Sequence, residues 1–273
     1  MEISSGRATL SAESHGTGAP DVLLLHAGVT DRRSWAPVVD VLPGRRCLTY
    51  DARGFGRTTY EPEEGWSPVD DAVAVLDAYD VASAVVVGCS MGGRTSLDLA
   101  LTHRDRVRGL VLIGTAVTGA PDIDLEPGLE DLERRYDEAY EAEDLDELNR
   151  LEAEIWLDGP FRPGRVTGPV RDLFLEMNRI ALAAPEPGEQ RATADAWSTC
   201  GDVTVPTLVL IGEHDLAHTH RNAAHLAATV PGARLIDLPG VAHLPHLEAD
   251  PLTLREIAAF VDGTVAGIRD AGC

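Results

Sequence analysis

Ser83-Ala84-Val85-Val86-Val87-Gly88-Cys89-Ser90-Met91-Gly92-Gly93 is the stretch whose reading decides the fold. An apolar, β-branched run closed by glycine reads as a strand buried on both faces, the kind found inside a parallel sheet. From Met91 to Leu101 the apolar residues recur at helical spacing. A strand and a helix therefore meet at Ser90 with almost no loop between them. So sharp a reversal needs small residues on both sides of the serine, and it lifts the hydroxyl above the end of the sheet. The helix turns its free amides and the positive end of its dipole toward the same point. Ser90 is thus a candidate nucleophile.

Outward from this turn the pattern repeats. Ile3 to Glu13 reads as an edge strand or hairpin, and Asp21 to Leu25 as a buried strand running into His26-Ala27-Gly28. A helical stretch covers Trp35 to Leu42, and Arg46 to Tyr50 is a strand that ends at Asp51-Ala52-Arg53-Gly54-Phe55-Gly56. Ser67, followed by Pro68, caps a helix to about Tyr79, and Val107 to Ile113 is a further strand. The alternation then stops. Between residues 119 and 204 the sequence offers two helical stretches, Leu125 to Trp156 and Val170 to Ala183, separated by a Gly/Pro-rich turn after Asp158. It resumes with a strand at Thr207 to Ile211, a helix at Arg221 to Thr229, a strand at Ala233 to Leu238 and a closing helix from Leu252 to Val265. Strands alternating with helices predict an α/β fold with a mostly parallel sheet. Residues 1–118 and 205–273 form its core domain, and 119–204 a helical cap, or lid, inserted over the carboxyl ends of the strands, where the active site belongs.

Composition narrows the function. The chain has 273 residues, 45 of them acidic and 23 basic, for a net charge of −22, and every basic residue is Arg. With no Lys there is no Schiff-base chemistry, and the charge speaks against nucleic acid and anionic membranes as partners. The acidic run from Asp122 to Glu154 reads as a solvated helical face. Cys47, Cys89, Cys200 and Cys273 are scattered, without the spacing of a metal site or disulfide framework, and fit a reducing compartment. The polar first residues lack the apolar stretch of a secretory signal, so cytoplasmic residence is the default expectation. No apolar run spans a membrane, no cofactor motif is present, and the sequence admits a homodimer without specifying one.

A serine hydroxyl needs a base within hydrogen-bonding reach, and the base needs an orienting acid. His243, in the loop after the Ala233–Leu238 strand, is the candidate base, with His246 as its competitor; His214, His218, His220 and His225 are expected bystanders. Asp215, directly after the Thr207–Ile211 strand, is the candidate acid, with Glu213 and Asp237 as alternatives. An oxyanion needs two backbone donors. The Met91 amide is one; the second belongs to the loop after the first buried strand, where Gly28 is the choice and Val29 stands close behind.

His26-Ala27-Gly28, Asp51 to Gly56, Gly88 to Gly93, Gly212-Glu213-His214-Asp215 and Gly240-Val241-Ala242-His243 together resemble the α/β-hydrolase fold superfamily, in order and spacing and over nearly the whole chain. The flavour is that of the enol-lactonase, esterase and cofactor-free haloperoxidase-like branch. The resemblance implies a sheet of about eight strands, a helical cap, a Ser90-Asp215-His243 triad in the chain order of the fold, and an Asp51–Gly56 segment that shapes the fold more than it catalyses. One departure is His26-Ala27, where the branch often has His-Gly.

The expected activity is hydrolysis of a small carboxylic ester or lactone through an acyl-enzyme. The alternatives are another reaction of the same triad (thioesterase, C–C hydrolase, acyltransferase or perhydrolase) or a non-catalytic hydrolase-fold receptor. Serine rather than aspartate at the turn speaks against dehalogenase and epoxide hydrolase chemistry. The net charge of −22 also speaks against a basic docking surface for an acidic acyl carrier. Val29, Trp35, Trp156, Phe161, Met177 and Trp197 are candidate pocket residues, Cys89 reads as a small packed residue, and Arg94 as structural.

Overall fold

The computed structural model describes residues 1–270 apart from Pro20, Asp124, Leu125 and Ala194, with side chains up to Thr264. The Leu125 start of the expected cap helix and Cys273 lie outside the described residues. Among the described residues nine strands form one sheet: β1 (Glu2–Ser5), β2 (Ala8–His15), β3 (Asp21–Leu25), β4 (Arg46–Tyr50), β5 (Thr59–Tyr60), β6 (Ala84–Cys89), β7 (Val107–Ile113), β8 (Thr207–Gly212) and β9 (Arg234–Leu238). Their order is β1-β2-β4-β3-β6-β7-β8-β9, with β5 pairing on β2. The two-residue β5, set against Ala8 and Thr9, is too short to leave a sequence pattern. Along the path β4-β3-β6-β7-β8-β9 every pairing is parallel, whereas β1–β2, β2–β4 and β2–β5 are antiparallel. The core is therefore an α/β-hydrolase fold with a mostly parallel sheet.

The strands read as unbroken apolar runs because both faces are covered. Leu23, Leu25, Val86 and Leu112 pack on one side with Val69, Val75 and Leu97, which belong to α2 (Pro68–Ala78) and α3 (Met91–Thr102). Their neighbours Val22, Leu24, Val85, Val87 and Ile113 pack on the other side with Trp35, Ile257 and Val261. The last two lie on the closing helix, Pro251–Asp270, and a short helix, α1 (Ala36–Asp40), follows Trp35. The start of α2 is as the sequence predicts: the Ser67 hydroxyl accepts the Val69 and Asp70 amides, and Pro68 opens the helix.

Chain order reverses between β3 and β6, which are hydrogen-bonded neighbours: β4 lies on one side of the pair and β7, β8 and β9 on the other. The connections leaving β3 and β6 therefore part, and a crevice opens at their carboxyl ends. Asp51, at the end of β4, is buried beside it and accepts hydrogen bonds from the Arg32 and Arg57 amides and from the Arg32 guanidinium. Its carboxyl group is thereby committed to holding the Asp51–Gly56 turn.

Between β7 and β8 the elements among the described residues are helices joined by loops: α4 (Glu130–Glu141), α5 (Leu145–Glu152), a π-helical turn (Ala153–Asp158), α6 (Pro169–Leu182), α7 (Ala196–Thr199) and a 3-10 turn (Cys200–Asp202). The single helix expected from Leu125 to Trp156 is broken. Glu143 takes φ of +53°, and the Asp144 side chain caps a new helix by accepting the Glu147 amide. The break has a reason in packing. A straight helix would leave its apolar stripe uncovered, whereas folding back lets Leu148 and Leu151 of α5 bury against Ala139 of α4. The segment leaves and rejoins the core at one place, where the Trp197 amide donates to the Thr118 carbonyl at 2.9 Å. Beyond β8, α8 (Ala217–Thr229) begins four residues before the expected Arg221; Leu216 precedes it with no side-chain cap to mark the start. The closing helix is α9. No helix among the described residues is long and apolar enough to cross a membrane.

Asp98 on α3 is buried, and burial pushes its carboxyl up to about 6 against the pull of Arg94 and of the Thr118 and Thr193 hydroxyls. A carboxyl raised in the folded state favours folding when protonated, and that contribution is lost as pH rises through about 6. Asp98→Asn should raise the unfolding free energy at pH near 7.5 by about 1–2 kcal/mol, allowing for partial screening, and give no gain near pH 4. Urea unfolding at the two pH values checks this.

Candidate active site

The turn at Ser90 is strained and glycine-lined. Ser90 has φ of +53° and ψ of −113°, left-handed-region backbone that a non-glycine residue adopts at a cost of about 1–3 kcal/mol. Its amide donates to the Ile113 carbonyl at 2.9 Å and its carbonyl accepts the Arg94 amide at 2.9 Å, so β7 and α3 hold it on both sides. The three glycines have distinct reasons. A Cβ on Gly88 would lie 2.3 Å from the Gly92 carbonyl oxygen, one on Gly92 would lie 2.1 Å from that of Leu25, and one on Gly93 would lie 2.4 Å from Thr115 Oγ1. Cys89 is fully buried and its Sγ lies 3.4 Å from the His243 carbonyl; burial pushes its thiol pKa well up, as suits a packed residue rather than a nucleophile.

His243 and Asp215 come from loops that are knit together. The Glu213 amide donates to the Leu238 carbonyl and the His214 amide to that of Val241, joining the ends of β8 and β9. His243 Nδ1 and Asp215 Oδ2 are 2.8 Å apart, with both side chains buried. Oδ1 accepts the Leu216 amide at 2.8 Å. Burial alone would raise the Asp215 carboxyl, but the charge of His243 and the hydrogen bonds from His243 and Leu216 outweigh it and hold the carboxyl below its ordinary value. A carboxylate can only accept, so Nδ1 carries the hydrogen, and in the neutral form of the ring Nε2 is the nitrogen left with a lone pair. Gly114, at φ of +49°, leaves the space this pair needs: a Cβ there would lie 2.8 Å from His243 Nδ1.

Ser90, Met91, Gly28, Val29 and His243 line one cavity of about 570 Å³. The Gly28 loop faces the start of α3, since a Cβ on Gly28 would rest 3.7 Å from the Met91 side chain. His26 anchors that loop. Its Nε2 accepts the Ala52 amide at 3.0 Å, which leaves Nδ1 to donate to the Ala27 carbonyl at 2.8 Å. The alternative residues lie elsewhere. His246 is fully buried, stacked on Trp35 with ring centroids 4.1 Å apart, and burial holds it down to about 3. Glu213 accepts the Gly240 amide, and Asp237 sits exposed on β9.

The expected pocket needs correction. Val29 and Trp156 line the cavity, and the Trp156 ring lies 4.7 Å from that of His243. Trp35 and Met177 are fully buried in the core instead. Trp197 stacks on His225 with centroids 3.5 Å apart, and Phe161 borders a separate depression with Arg162 and His214. Large apolar side chains anywhere in the chain invite a pocket assignment; only the tertiary fold divides them between core and cavity. Conversely, His218, Leu129, Leu132, Tyr136 and Ile155 line the cavity. Leu129, Leu132 and Tyr136 recur at helical spacing, but the surrounding acids make that face read as solvated.

Two outcomes test this geometry. Gly92→Ala places a methyl group against the Leu25 backbone, which cannot yield as a side chain would, and should cost on the order of 3 kcal/mol or leave no folded protein, as read by circular dichroism and urea melts. Asp215, with its carboxyl held low when folded, stabilises above the ordinary carboxylate range, and the contribution is lost as pH falls through its depressed value. Asp215→Asn should therefore be less stable than the parent above about pH 4, with the difference narrowing in stronger acid.

The chain is similar in sequence to 2-hydroxymuconate semialdehyde hydrolase of Pseudomonas sp. strain CF600, at 28% identity over 247 residues, 85% of this chain and 83% of the other. It is similar to pimeloyl-[acyl-carrier protein] methyl ester esterase of Nitrosospira multiformis at 26% over 267 residues, 93% and 99% of the two chains. The crystal structure of the enol-lactonase from Burkholderia xenovorans LB400 superimposes with a TM-score of 0.73 at 26% identity, covering 94% of this chain and 98% of that one. The family model for the α/β-hydrolase fold matches residues 20–250, and with the sheet, the strained serine turn and the ordered loops in place, the chain belongs to the α/β-hydrolase fold family.

Proposed function

We propose that the protein is a serine hydrolase that cleaves a small carboxylic ester or lactone through an acyl-enzyme. The observation that carries this is His243, hydrogen-bonded to the buried Asp215 at 2.8 Å and lining one cavity with the strained Ser90. Ser90 Oγ attacks the carbonyl carbon while His243 Nε2 takes its proton. Asp215 holds the ring in the tautomer that can do so and offsets the charge of the imidazolium. The carbonyl oxygen, now an oxyanion, is received by the amides of Met91 and Gly28, the former at the positive end of α3. Collapse of the tetrahedral intermediate breaks the C–O bond, and the imidazolium protonates the leaving alkoxide. A water molecule, deprotonated by the same nitrogen, then releases the acid and restores Ser90.

An esterase and a lactonase among the similar proteins support this reading. The helical segment between β7 and β8 acts as the cap. It supplies Leu129, Leu132, Tyr136, Ile155 and Trp156 to the cavity, and so sets which acyl group is accepted. Ser90→Ala should reduce kcat/KM on p-nitrophenyl esters by about a thousandfold or more and abolish the covalent adduct with a fluorophosphonate seen by intact-protein mass spectrometry. Unchanged turnover in that variant would sink the proposal, and tight retention of a ligand without any adduct would favour a receptor.

A further inference from the structure

Apart from two histidines, the ionisable side chains lining the cavity are all acids. Along α4, Leu129, Leu132, Glu133, Tyr136 and Asp137 fall on one face, and that face is a wall of the cavity. Glu133 and Asp137 lie one helical turn apart, exposed at the wall, and neither carboxylate has an ion-pair partner among the described residues. Glu152 adds a third carboxyl from α5; it accepts the Tyr136 hydroxyl at 3.0 Å and the Asn178 amide at 2.5 Å. Glu152 is thus tied up by Tyr136 and Asn178, and the exposed, unpaired carboxylates at the wall are Glu133 and Asp137.

No arginine lines this cavity among the described residues, and the chain has no lysine. The nearby cations are engaged or face elsewhere. Arg134 pairs with Asp131 and Glu138, and Arg135 reaches Glu154. Arg162 borders the separate depression, which also holds Glu126 and Glu213. Arg94 lies beyond Met91, in a second cavity of about 230 Å³.

A carboxylate on the substrate would lose water on entering and meet two like charges with no arginine or lysine beside them. A protonated amine would meet attraction on the same path. We propose that the cavity sorts ester substrates by charge, turning away those that carry a carboxylate and favouring those that carry a protonated amine at the end remote from the scissile carbonyl. The carboxylates do not make the site; Ser90 and His243 do, and the inference rests on Ser90 being the nucleophile. Because Glu133 and Asp137 are exposed, the preference weakens as salt rises.

Three fluorophosphonates of matched length, ending in trimethylammonium, tert-butyl or carboxylate, test it through their second-order rates of labelling Ser90. The cationic probe should react faster than the anionic one by roughly ten- to a hundredfold at low ionic strength, with the neutral probe between them. Glu133→Gln/Asp137→Asn should bring that ratio close to one. Glu130→Gln/Glu141→Gln, which removes two acids of α4 that do not line the cavity, should leave most of it. Equal rates in the parent, or an equal drop in the two double variants, overturns charge selection while leaving the hydrolase reading intact. Failure of all three probes to label Ser90 overturns both. Each single variant, Glu133→Gln or Asp137→Asn, sits on an exposed helix face and supplies the same comparison should the double variant not fold.

Discussion

Between Gly92 and the carbonyl oxygen of Leu25 there is room for a hydrogen atom and nothing larger, since a Cβ would stand only 2.1 Å from that oxygen. This contact brings the first turn of α3 against the end of β3. It places the Ser90 hydroxyl, the Met91 amide and the Gly28 loop at the mouth of one crevice. The sheet provides the opportunity, because β3 and β6 are the neighbours between which chain order reverses. The glycines provide the proximity. Without them α3 would stand off from β3, and Ser90 would have no reason to adopt its left-handed backbone. The strain at Ser90 is held by flanking elements whose own stability comes from apolar burial on both faces of the sheet.

The parts of this arrangement that were legible in the sequence are those where backbone demands dictate residue type. Parallel strands covered on both faces must be apolar throughout, so β3, β6, β7 and β8 stand out as runs such as Val107–Ile113. Close approach admits only glycine, so Gly88, Gly92 and Gly93 announce the serine turn. Asp215 and His243 could be named because each sits just beyond a strand, where side chains converge on the crevice. Their 2.8 Å hydrogen bond follows from a joining of the β8 and β9 loops that leaves no mark in either segment alone.

Between β7 and β8 the constraint relaxes, and so does legibility. The turn at Glu143 and Asp144 depends on a capping carboxylate and a left-handed residue, features that many exposed acidic stretches share. Acidity also concealed the inward face of α4, where Leu129, Leu132 and Tyr136 share a cavity wall with Glu133 and Asp137. Trp35, Met177 and Trp197 show the converse difficulty. Their size suits a core as well as a pocket, and the fold buries Trp35 and Met177 and stacks Trp197 on a histidine.

The clasp between Trp197 and Thr118 has an implication of its own. Because the helical segment leaves and rejoins the core at neighbouring points, closing it into a loop costs little more if it is lengthened, shortened or exchanged. On the proposed reading the reacting atoms belong to the core, while the side chains lining the cavity belong largely to the segment. A gene encoding this chain can therefore vary the two almost independently. Mutational drift in α4 and α5 changes the guest list at little risk to the chemistry, which leaves the fold open to new substrates without first losing the old reaction.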